Sequence, residues 1–250
     1  MKIKKFFVIT HFFLLLFFIL AVFKPTFFYW SLLPVNLILF FISYRIISLR
    51  LDKSFIKYLI LPVLFINASF FYGSLLAGKF LFILFLLLAV FLLFYYYRSA
   101  VKYYFIESDR KKNLPLWSNL FGFLTVFLSS SFVYSLPYFM KIESWLLVLI
   151  LSIIVFISFF QNIAVEKMPI KIDLFFSFLF LFSMVPLLWS LLLMPFNYNI
   201  LGLLTSLFYY SALNFVIFYL KKDLTVKKVR YNLLFTFLLL LIILLGARWK

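Results

Sequence analysis

The sequence predicts an all-α fold, a polytopic transmembrane helix bundle of about nine spans with its N-terminus inside. Three observations predict it. The first is composition: 67% of the 250 residues are hydrophobic and 12% are charged, with a mean hydropathy of +1.18. A soluble domain is about 45–50% apolar and about 25% charged. A chain of this size must leave much of its surface to the solvent, and a surface so apolar calls for lipid. The second is the length of the apolar runs, which match the roughly 20 residues needed to cross a 30 Å hydrocarbon core. The third is the sorting of basic residues to alternate connections.

In chain order, the first span is Phe6–Phe23, preceded by Lys2, Lys4 and Lys5. A basic start and an apolar run resemble a signal peptide, but no small-residue cleavage pattern follows, so the run reads as an uncleaved span. The others are Phe27–Ile47, Phe55–Leu76, Lys79–Tyr97, Leu116–Leu136, Trp145–Ile163, Leu174–Met194, Ile200–Leu220 and the shorter Leu233–Leu245. Strands of an outer-membrane barrel would be about half as long and would alternate in polarity, so these runs are helices. Short links at Lys24–Thr26, Ala77–Gly78 and Pro195–Asn199 force antiparallel neighbours. They predict hairpins 1–2, 3–4, 5–6 and 7–8 followed by a single helix. The longest polar segment, Arg98–Pro115, reads as a short surface helix and a turn. No connection is long enough for a soluble domain, so residues 1–250 are expected to form one transmembrane domain.

The charges test this map. With Met1 in the cytoplasm, 19 of the 24 Lys and Arg residues fall in cytoplasmic segments and five outside. That is the asymmetry of the positive-inside rule, and it implies an inner, cytoplasmic membrane. The net charge of +17 then records topology and attraction to anionic lipid, and nucleic acid is not an expected partner. Arg110, Lys111 and Lys112 in one cytoplasmic loop, and Lys227, Lys228 and Arg230 in another, are the candidate contacts to anionic lipid. Aromatic clusters such as Tyr95–Tyr96–Tyr97 and the single Trp145 mark headgroup depth. The 40 Phe against five Gly reflect an AT-rich codon alphabet acting on lipid-facing positions.

Chemistry-bearing residues are sparse. No cysteine is present, which removes disulfides, thiolate metal sites and Cys nucleophiles. His11 is the one histidine, so zinc motifs with two histidines are excluded. All seven acids lie in loops or at span ends, whereas a proton-coupled pump needs a titratable relay inside the membrane. Nine spans with the N-terminus inside match the plan of intramembrane aromatic prenyltransferases, but the paired acids that hold magnesium diphosphate are missing. The loops in question carry Asp52 alone, and Glu166 with Asp173. Ser129–Ser130–Ser131 reads as back-bonded helix packing. No Gly-rich phosphate loop is present, and no cofactor or metal site is expected.

Polar residues within spans are the remaining signal. Asn67 and Asn214 lie nearest mid-span. They serve either as interhelical glue or as the lining of a polar cavity, and they are the candidate cavity residues. Gln161–Asn162 with Glu166 forms a polar edge that reads as cap chemistry or headgroup contact.

From Leu207 to Trp249 the order is Leu-Phe-Tyr-Tyr, a span, the basic loop Lys221–Arg230, a Leu-rich helix and Gly246–Ala247–Arg248–Trp249. This last fifth resembles small multi-pass proteins of unknown function from reduced-genome, candidate-phylum bacteria. The resemblance implies a multi-pass membrane protein and supplies no catalytic residue. Three functions stay open: a non-enzymatic scaffold or subunit of an envelope assembly, a facilitator or flippase for a lipid-like or small neutral substrate, and an enzyme acting through Glu107, Asp109 or Glu166. Membrane lipids and other membrane proteins are the expected partners.

Overall fold

The computed structural model describes residues 10–17, 19, 23, 28–47, 56–105, 114–166 and 169–246. The described regular structure is entirely helical. Residues 10–17 form α1. The other helices are α2 (Phe28–Ile47), α3 (Ile56–Gly73), α4 (Lys79–Phe105), α5 (Leu114–Phe139), α6 (Ser144–Ala164), α7 (Ile170–Leu192), α8 (Tyr198–Leu220) and α9 (Val226–Gly246). Six of them, α4 to α9, are long and apolar enough to span a membrane. Shorter apolar helical stretches lie at Trp30–Tyr44 and Ile60–Gly73. This is the make-up of a membrane-embedded protein.

Helix limits depart from the sequence expectation in two informative places. α4 runs on through Phe105, so Arg98 and Lys102 sit on a continuing helix. Two isolated basic residues end an apolar window without breaking a backbone hydrogen-bond ladder. The basic segment Lys221–Arg230 is not a loop throughout, since α9 already starts at Val226. The Thr225 side chain accepts the Lys228 amide at 3.4 Å, capping the helix as a threonine does at this position. Lys227, Lys228 and Arg230 therefore lie on the first turns of α9. Just before them α8 ends with Lys222 at φ 54°. The Lys222 amide donates to the Tyr219 carbonyl and the Asp223 amide to Phe218, both at 3.0 Å. These two bonds form a Schellman motif.

The chain groups into two compact units, residues 1–118 and 119–250. In the first, the α3–α4 turn passes through Gly78 at φ 106°, a conformation open to glycine without strain. Gly73 lets Phe82 of α4 pack directly onto the end of α3, where a methyl group would collide with the ring. Tyr72 and Phe85 meet across the same helix pair, ring centroids 5.6 Å apart. His11 of α1 stands edge-on to Phe94 and Tyr97 of α4, at 5.4 and 6.2 Å.

The second unit has an apolar core drawn from α5, α6, α7 and α8. Phe159 of α6 stacks on Phe180 of α7 at 3.9 Å, and the Tyr209 ring of α8 sets itself edge-on to both. Such ring pairs add about 0.5–1.5 kcal/mol beyond area burial. α9 lies at the margin, and among its residues Asn232 alone is buried.

Candidate functional site

Polar side chains inside the helices fall into a few defined contacts, and these are the chemistry the membrane region offers. In the first unit Asn67 is half-buried on α3 and faces Asn36 of α2. The Asn36 amide donates to Asn67 Oδ1 at 3.1 Å and the Asn67 amide donates back to Asn36 Oδ1 at 2.9 Å. Ser43 of α2 and the buried Tyr97 hydroxyl of α4 are 3.0 Å apart. Ser43 is small enough to leave α2 and α4 close, so that contact is compatible with dense packing.

In the second unit Asn162 of α6 donates to the Tyr209 hydroxyl of α8 at 2.7 Å and to the Ser158 carbonyl on its own helix at 2.9 Å. This pair is seated against Gly122 of α5, where an added methyl would meet the Asn162 amide and would lie 2.7 Å from the Tyr209 oxygen. Three helices thus converge on one hydrogen bond. Further along α5 and α8, Gly202 lies so close to α5 that a methyl would be 2.8 Å from the Ser131 amide nitrogen and 3.0 Å from the Phe127 carbonyl. Tyr134 and Thr205 close the same seam at 3.2 Å. Gln161 and Asn162 are fully buried, which corrects their reading as an edge patch for caps or headgroups.

Beside these satisfied pairs stand buried groups of a different kind. Both amide atoms of Gln161 and the hydroxyls of Thr125 and Ser158 have no hydrogen-bond partner among the described residues. Leaving a buried polar atom unpaired costs about 1–3 kcal/mol. Ser130 bonds back to Val126, Thr205 to Leu201 at 2.9 Å and Ser177 to Asp173 at 2.6 Å, as hydroxyls in membrane helices do.

The remaining candidates are distributed. Asn214 is half-buried on α8 in the second unit, whereas Asn67 belongs to the first. Lys227 is exposed, with its ammonium 5.9 Å from the Tyr231 ring, and Arg230 is exposed. Lys228 pairs with Asp223 and lies 5.7 Å from the Phe218 ring. Arg110, Lys111 and Lys112, and the acids Glu107 and Asp109, lie outside the described residues. Glu166, the third acid of the catalytic hypothesis, pairs with Lys221 at 2.8 Å across the ends of α6 and α8. Among the described residues no three His, Asp or Glu side chains come together as metal ligands would.

Comparison with known proteins finds no matching protein family, no matching curated protein and no matching solved structure.

Proposed function

We propose that the chain is a non-enzymatic component of the inner membrane, a scaffold or subunit of an envelope assembly with its N-terminus in the cytoplasm. The observation that carries this reading is α9. It is a 21-residue apolar helix on which Asn232 alone is buried within the chain, and Leu234, Phe235, Phe237, Leu238, Leu241 and Ile242 all face outward. A span that packs on α8 along one side and leaves so many large apolar side chains outward is free to present that outer face to another membrane protein. The polar groups of the spans support the same reading. Asn36, Asn67, Asn162 and Tyr209 are engaged in joining helices, which is the role of glue.

The test is purification of the full chain from native membranes in gentle detergent. A membrane protein should co-purify in fixed ratio, and Phe235→Ala with Leu238→Ala should release it while the rest of the fold persists. Repeated recovery of a lone monomer would overturn the proposal. Cysteine labelling at positions 110 and 225 from the cytoplasmic side alone is expected of the orientation.

A second reading is a facilitator for a lipid-like or small neutral substrate, favoured by the unpaired Gln161 amide with Thr125 and Ser158. A polar solute crossing the second unit would supply the partners they lack. Liposomes carrying the protein should then pass small neutral solutes or exchange labelled lipid between leaflets, and Gln161→Leu should slow that flux. Vesicles as tight as protein-free controls would remove this reading.

A further inference from the structure

One concave surface of the first unit is unaccounted for by its packing. α1 and α4 enclose an open groove of about 720 Å³, walled by apolar side chains from His11, Phe12 and Leu15 on α1 and from Leu84 to Phe94 on α4. Its size falls in the range of about 300–1,000 Å³ typical of small-molecule sites. His11 is itself buried, its ring edge-on to Phe94 and Tyr97, and this contact holds α1 against α4 to form one wall.

The dimensions and the charge of the groove select an occupant. From Leu84 to Phe94 is ten residue steps, or about 15 Å along a helix, half of a 30 Å hydrocarbon core and so the acyl depth of one leaflet. Four residues beyond Phe94, about one turn, comes Arg98. It is exposed and forms no ion pair among the described residues. It lies on the same helical face as Phe91 and Phe94, being seven and four residues on. Tyr95, stacked on Trp117 with centroids 5.9 Å apart, stands beside it in the manner of headgroup-level aromatics. The groove is therefore greasy for one acyl length and cationic at one end.

We propose that this groove seats one acyl chain of an anionic phospholipid, with the phosphate held by Arg98. A neutral lipid would leave the Arg98 guanidinium unmatched, whereas an anionic phosphate pairs with it. The site is separate from the six basic residues named for lipid in the sequence, and it does not depend on the scaffold reading.

Native mass spectrometry of the full chain, released from mild detergent with equal amounts of phosphatidylglycerol and phosphatidylcholine of identical chains, tests it. The first bound lipid should be phosphatidylglycerol by about fivefold, the weight of one basic residue at an anionic surface. Arg98→Gln should equalise the two lipids, and Arg98→Lys should restore the preference. Leu88→Trp, or Phe91→Trp, should fill the groove and remove the first adduct of both lipids. Leu88 and Phe91 are exposed, so these changes leave the helix core in place, as an unchanged helical circular dichroism spectrum would verify. An undiminished phosphatidylglycerol preference in Arg98→Gln would overturn the proposal. So would an unchanged first adduct in both tryptophan variants, or a wild-type protein that carries a second chain and no lipid.

Discussion

Asn36 on α2 and Asn67 on α3 exchange side-chain hydrogen bonds in both directions, at 3.1 and 2.9 Å. Each amide also donates to a carbonyl one turn back on its own helix, Asn36 to Leu32 and Asn67 to Val63. The pair satisfies itself within the contact. Interhelical hydrogen bonds of this kind contribute about 0.6–2 kcal/mol. Asn36→Ala and Asn67→Ala are each expected to destabilise by about that amount. The double variant should cost clearly less than the two losses added, because either change already breaks the exchange. Unfolding free energies of the four proteins in bicelles measure the coupling. Strict additivity would show that the two amides do not act together.

The glycines of the second unit separate two kinds of obstacle. At Gly122 an added methyl meets the ends of side chains, the Asn162 amide and the Tyr209 hydroxyl. At Gly202 it meets the Ser131 hydroxyl and also backbone, the Ser131 amide nitrogen and the Phe127 carbonyl, and the backbone contact is one that no rotamer change can relieve. Overpacking costs about 1–3 kcal/mol. Gly202→Ala is therefore expected at the upper end or beyond and Gly122→Ala at the lower. Asn162→Ala should partly rescue Gly122→Ala by clearing the space the methyl needs, whereas Ser131→Ala, which removes the hydroxyl at Gly202, should rescue Gly202→Ala less because the backbone contact stays. A methyl at Gly246 would meet nothing within 4 Å among the described residues, so Gly246→Ala should be neutral within about 0.5 kcal/mol. Thermal unfolding of these variants in one detergent gives the ranking, and an equal loss at 122 and 202 would contradict it.

How far these features were legible in the sequence follows from what is local and what is not. Hydropathy over a helix-length window is local, so the span read as Phe27–Ile47 appears as Phe28–Ile47 and that read as Trp145–Ile163 as Ser144–Ala164. The start of α9 lies outside any hydropathy window because Lys227, Lys228 and Arg230 fall on its first turns, and Thr225 with its capping hydroxyl is the local signal for it. Pairing was not readable. A helix that is apolar all round carries no stripe to say which face turns inward, and α4, α8 and α9 are apolar nearly all round. Asn67 is visible as a polar residue within a span, but that it meets Asn36 depends on the rotation of α2 and α3. Gln161 and Asn162 were read as an edge because they lie near the end of a span, yet the neighbouring helices cover them. The groove along α4 has no sequence signature, since lipid-facing and groove-facing leucines are chemically the same.

The end of α8 offers a backbone test. Lys222 holds φ at 54°, where a side chain costs about 1–2 kcal/mol and glycine costs little. The Schellman bonds at Tyr219 and Phe218 keep it there. Glycine loses more backbone freedom on folding, which offsets part of the gain. Lys222→Gly is therefore expected to raise stability by up to about 1 kcal/mol. Lys222→Val should lower it, because a branched side chain tolerates this region worst. The sign of the two changes in melting temperature is the readout. A loss on Lys222→Gly would mean that the lysine side chain, and not the backbone conformation, is what that position requires.

Asn232 is the polar anchor of α9. Its amide donates to the Ser211 carbonyl at 3.1 Å and to the Ser211 hydroxyl at 3.3 Å, on a helix that otherwise faces outward. Leu240, Ile243 and Leu244 add apolar contact to the core of the second unit, but exposed leucines gain little from leaving lipid for another leucine, since acyl chains are as apolar. The specific term holding α9 in register is then the asparagine. Asn232→Leu should preserve the span and its hydropathy while freeing the helix to rotate and shift. A cysteine at Phe208 on α8, paired in turn with one at position 235, 236 or 239 on α9, reports this by cross-linking while leaving Ser211 and Asn232 untouched: one pair should dominate when Asn232 is present, and the yield should spread over neighbouring pairs in Asn232→Leu. If the cross-linking pattern stays sharp without the asparagine, packing alone sets the register, and α9 is held more firmly than its exposure indicates.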